Sequence, residues 1–123
     1  MEGKANLYYA LGELAYAVAI ADGKVQKEER KKIHDIVVEG TAAHSKDIDV
    51  SEIIFHILQK DKLDWPTAYD WALKQMRLYD NHLTADMKVD FVSVLDEIAH
   101  AFNSVTIEEK NVIDKFQEDL KSI

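Results

Sequence analysis

The stretch AIADGKVQKEERKK, residues 19–32, sets two carboxylates, Asp22 and Glu29, on either side of a glycine turn. Carboxylates at such spacing build calcium loops, so the pattern D-x-[DN]-x-[DN]-G-x5-E is the first chemistry to test. With Gly23 at the sixth position of that loop, Asp22 falls at the fifth, Val25 at the eighth and Glu29 at the twelfth. Val18 and Ile20 then stand at the first and third, where calcium needs oxygen donors. Half a loop preceded by a helix is not an EF-hand. A weaker site, in which Asp22 and Glu29 share a divalent ion with an acidic residue from another helix, is the metal chemistry this stretch permits. The competing use is structural. Gly23 ends one helix in a left-handed conformation, Asp22 bonds local amides, and Glu29 meets the positive end of the next helix.

Other candidates are thinner. Glu97-x-x-His100 has the spacing of ferritin-like di-iron proteins, but that chemistry needs two such pairs and two further glutamates. His34, His44, His56 and His82 show no H-x-x-x-H zinc spacing. There is no G-x-S-x-G elbow and no phosphate-cradling glycine loop. The chain has no cysteine, which removes disulfides, thiolate metal sites and thiol nucleophiles and fits a reducing cytoplasm. Trp65, Tyr69 and Trp71 are the aromatic residues that would line a ligand cleft. They carry the alternative reading, a small helical enzyme or ligand carrier.

The elements that position these residues follow from composition and period. The 123 residues fit one domain, with only four glycines and one proline to make turns. The net charge of −8 repels phosphate backbones, so nucleic acid is not an expected partner. The apolar run Leu7–Ala21 is interrupted by Gly12 and Glu13 and is shorter than the roughly 20 residues a bilayer requires. No signal peptide or transmembrane segment is expected, and the expected location is cytoplasmic.

The hydrophobic period is helical throughout. Leu7, Leu11, Leu14 and Val18 form one stripe, and Ala10, Tyr16, Ala17 and Ile20 make the opposite side apolar too, as in a central helix surrounded by others. Further helices are expected from about Lys27 to Gly40, from an Asp49 cap to Lys60, and from Asp64-Trp65-Pro66 to "YDNHLT". Two more should run from about Ala85 to Phe102 and from a Thr106/Glu109 capping box onward. Sliding the chain by 80 residues places "AVAIADGKVQKEERKKI" on "EIAHAFNSVTIEEKNVI", pairing Ala19 with Ala99, Val25 with Val105 and Glu29 with Glu109. This is one helix–turn–helix unit used twice.

Those residues carry a resemblance. "ELAYAVAIADGKVQKEERKKIHDIV" resembles the signature of TerB-like domains of the tellurite-resistance family, and "LDEIAHAFNSVTIEEKNVIDKF" resembles their second unit. The resemblance implies an all-α bacterial domain with no catalytic reaction, associated with stress responses. It also implies metal ions held by acidic residues, here Asp22, Glu29 and, in the second unit, Glu109. Phe102 and Asn103 stand where the second Asp-Gly would be. Related domains accompany membrane-anchored co-chaperones, which implies a protein partner in a membrane-associated complex. The expectation is therefore a single all-α, TerB-like domain over residues 1–123. It would hold six to seven helices around the helix at 5–22, and it would be a non-enzymatic binding or scaffold module with a divalent metal as its one conceivable cofactor.

Overall fold

The computed structural model describes residues 3–21, 35, 45–100 and 105–123. Among them lie five α-helices and no strand: α1 (Gly3–Ile20), α2 (Ser45–Asp61), α3 (Trp65–Leu78), α4 (Ala85–Ala99) and α5 (Ile107–Leu120). A 3-10 turn, Asp80–His82, joins α3 to α4. The helix expected over 27–40 and the Asp22-Gly23 turn lie outside the described residues. So do Phe102 and the turn of the second repeat unit. The expected helix count and the likeness of the two units therefore rest on sequence.

The expectation for the central helix holds. Leu7, Leu11 and Leu14 are wholly buried on one side of α1, and Tyr16 and Ala17 are buried on the other. Burial of each leucine side chain contributes roughly 2–3 kcal/mol. α1 packs against every other described helix. A Cβ on Gly12 would lie 2.4 Å from the carbonyl oxygen of Ser51, so α1 and α2 meet where there is no side chain to separate them. Ser51 resolves its own burial there by donating its hydroxyl to the Tyr8 carbonyl at 2.5 Å. Tyr8 stands edge-on to Phe91 of α4 at 5.5 Å, and Tyr16 edge-on to Phe55 of α2 at 5.8 Å. Asn6 accepts a hydrogen bond from Gln75 of α3 at 2.9 Å.

The helix ends explain the turns. α2 is already helical at Ser45, one turn before the expected Asp49 cap. No glycine or proline stands between Ser45 and Asp49 to stop the helix extending backward. Its other end is a Schellman turn: Leu63 N–H donates to Leu58 O at 3.2 Å and Lys62 N–H to Gln59 O at 3.3 Å. Lys62 takes the left-handed position, φ 56°, that glycine usually fills. Asp64 caps α3 by accepting from Thr67 N–H at 3.1 Å, and these Thr67 hydrogen bonds hold its carboxyl below the usual range. Pro66 sits in the first turn, where its missing donor costs nothing. Thr84 caps α4 through Met87 N–H at 3.1 Å.

Candidate functional site

Of the three expected metal ligands, Asp22 and Glu29 lie outside the described residues. Glu109 is at the third position of α5 and is buried. Its Oε1 accepts from Thr106 N–H and from Thr106 Oγ1, both at 3.1 Å, while Thr106 Oγ1 accepts from Glu109 N–H at 3.1 Å. The expected capping box is present, and it binds this carboxylate oxygen to the first turn of α5. Among the described residues no group of three or more histidine, aspartate or glutamate side chains is placed to hold a metal ion. Glu97 and His100 do not act together: His100 Nδ1 turns back to the Asp96 carbonyl at 2.7 Å and lies 3.7 Å from Asp96 Oδ1.

One carboxylate does stand apart. Glu13 is buried within α1, and its Oε1 has no hydrogen-bond partner among the described residues. Burial pushes its carboxyl up to about 8. Neighbouring Tyr9 is raised as well, first by its own burial and then by the charge of Glu13. The sequence carries a signal for this residue, because Glu13 is the one acidic side chain between Gly3 and Ala21.

Two open grooves flank α5 on different faces of the helix. The first, about 590 Å³, lies between α4 and α5. Val92, Val105 and Ile113 give it an apolar floor, and Asp96 and Asp114 stand on its two walls. His100 and Lys110 share the rim, and Val89 at its edge is 68% exposed. Its charged lining is Asp96 and Asp114 against Lys110.

The second groove, about 380 Å³, lies between α3 and α5. Tyr69 and Leu73, both buried, form its floor. Tyr69 donates its hydroxyl to Asp119 Oδ2 at 2.5 Å. Lys115 Nζ lies 3.5 Å from the same oxygen and 4.9 Å from the centre of the Tyr69 ring. Burial and then the Asp119 bond and charge push the Tyr69 phenol far up, against a weaker pull from Arg77. Trp65 meets Tyr69 edge-on at 6.5 Å, and Trp71 is half exposed. Neither lines this groove. Of the three rings singled out by sequence, Tyr69 alone lines this groove. The Tyr69–Asp119 pairing spans 50 residues, and no sequence period announces it.

No known protein family, curated protein or solved structure matches the chain. Among the described residues no helix is long and apolar enough to cross a membrane.

Proposed function

We propose that this chain is a non-enzymatic, TerB-like binding or scaffold domain of a bacterial stress-response system, and that its docking face is the groove between α4 and α5. The observation that carries the reading is the pairing of an apolar floor, Val92, Val105 and Ile113, with a carboxylate on each wall, Asp96 and Asp114. An inter-helix groove of this kind takes an amphipathic helix laid along it, with apolar anchors at helical spacing. Charge complementarity selects a basic one. α4 is 15 residues long, about 22 Å at the usual helical rise, enough to seat about four turns of a partner. The occupant is therefore a basic amphipathic helix of a partner protein.

The resemblance also supports weak divalent-ion binding on the acidic side of the domain. In this reading Asp22 and Glu29 are the principal ligands, and the capping duty of Oε1 limits the share of Glu109. Calorimetric titration with calcium, magnesium, manganese and zinc tests that element, and Asp22→Asn weakens any binding found.

The docking reading is tested by titrating labelled protein with a Leu/Lys amphipathic peptide and with a Leu/Glu peptide of the same pattern. The basic peptide should shift the amides around Val89, Val92 and Ile113, more weakly as salt rises, and Val89→Glu together with Val92→Glu should abolish the response. Equal response to both peptides, or shifts elsewhere, would remove the groove as the docking face.

A further inference from the structure

We propose that the groove between α3 and α5 binds the phosphate group of a small soluble phosphomonoester, held by Lys74, Arg77 and Lys115 over a floor of Tyr69 and Leu73. This inference does not depend on the docking groove. Positions 110, 113, 114 and 117 face that groove, whereas Lys115 and Asp119 lie on a different side of the helix.

The first argument is unpaired charge. The chain has 23 acidic and 15 basic side chains, so a cation is ordinarily close to a carboxylate. Yet neither Lys74 nor Arg77 makes a hydrogen bond or ion pair with any described residue. Asp70 stands one helical turn before Lys74, the favourable order for an i,i+4 pair, and also lines the groove without forming that pair. Among the described residues, these two neighbouring cations on one face of α3 have no anionic partner.

The second argument is a cation already fixed in place. Lys115 is held by Asp119 and by the face of Tyr69, and Asp119 is in turn held by the Tyr69 hydroxyl. The order of dependence runs from a buried phenol to a half-buried carboxylate to an ammonium at the groove wall. Tyr69 and Asp119 are positioning residues here. The ligand contacts are the ammonium groups of Lys74 and Lys115 and the guanidinium of Arg77.

The third argument is fit. The groove lining counts three cations against Asp70 and Asp119, a local excess of positive charge on a molecule of net charge −8. A phosphomonoester dianion matches Lys74 and Arg77 in charge. Its three terminal oxygens match a planar guanidinium fork and two ammonium groups. The acidic remainder of the molecule repels long polyphosphates, which favours a small ligand over a nucleic-acid backbone.

The test uses phenyl phosphate and isotopically labelled full-length protein near neutral pH in low salt. Saturable amide shifts confined to residues 69–77 and 115–119 are expected, with a dissociation constant of about 1 mM or below. Lys74→Gln combined with Arg77→Gln should weaken binding about tenfold or more, since it removes two charge-assisted contacts. Both side chains are exposed, so the fold survives, and an unchanged melting curve confirms it. Lys60→Gln, an exposed lysine on α2, should change nothing. Tyr69→Phe should weaken binding less than the double variant, and phenol should produce no response. Non-saturating shifts, an undiminished response in the double variant, or association only with phosphatidic-acid vesicles would overturn the proposal.

Discussion

Tyr16, in the C-terminal part of α1, donates its hydroxyl to the carbonyl oxygen of Leu63 at 2.6 Å, across 47 residues of chain. The contact fastens the central helix to the turn between α2 and α3. Burial, then the charges of Asp64 and Asp61, push the Tyr16 phenol up, so the group stays a donor. Tyr16→Phe keeps the ring against Phe55 and removes only the hydrogen bond. The expected cost is about 1 kcal/mol, and the midpoint of thermal unfolding should fall by about 4 °C. A melt unchanged to within a degree would mean that water replaces the lost donor without penalty.

The same turn holds a residue in an unfavourable conformation. Lys62 has φ 56°, a left-handed backbone that costs a side-chain-bearing residue about 1–2 kcal/mol. Glycine avoids that cost but loses more entropy on folding. Lys62→Gly is therefore expected to stabilise by about 0.5–1 kcal/mol, read as a higher urea midpoint with an unchanged slope. A loss of stability would show that the lysine side chain contributes more than its backbone strain removes.

Glu13 makes stability depend on pH. Its carboxyl rises from 4.5 to about 8 on folding because burial disfavours the charged form. The folded chain thus keeps a proton that the unfolded chain releases. The stability linked to that proton is fully present below pH 4.5 and is lost as pH rises through about 8. Glu13→Gln has the same shape and cannot ionise. Urea unfolding of both proteins at pH 5 and pH 8 should show the variant gaining on the native chain by about 3 kcal/mol over that interval. Parallel pH profiles would show that the Glu13 carboxyl titrates alike in both states.

These residues also show what a linear reading reaches. Among the described residues, the helix periods, the Thr84 and Thr106 caps and the Asp64-Trp65-Pro66 start are local, and each is found where its residue types place it. The Asp49 cap failed because cap-forming residues are permissive, and no glycine or proline between Ser45 and Asp49 breaks the helix. Lys62 was illegible because the turn forms without its usual glycine. The Tyr69–Asp119–Lys115 cluster was illegible for another reason. Its members are ordinary surface and core residues until the fold brings Tyr69 of α3 to Asp119 and Lys115 of α5.

Glu109 separates shape from ion binding. Glutamine can take the glutamate's place in a capping box, because its side-chain oxygen also reaches back to the cap amide. Glu109→Gln should therefore cost only a few tenths of a kcal/mol, whereas Glu109→Ala, which leaves Thr106 N–H without this acceptor, should cost about 1 kcal/mol. Thr106→Ala should cost a similar amount. Combining the two alanines should cost less than their sum, because each already breaks the reciprocal pair. A ligand role predicts a different pattern. The native chain would melt higher in millimolar manganese or calcium, and Glu109→Gln would lose that rise as fully as Glu109→Ala. The capping geometry leads us to expect glutamine to behave like the native residue in both stability and ion response, so a glutamine variant that keeps its fold but loses a metal-dependent rise in melting temperature would reassign this carboxylate from the helix to the ion.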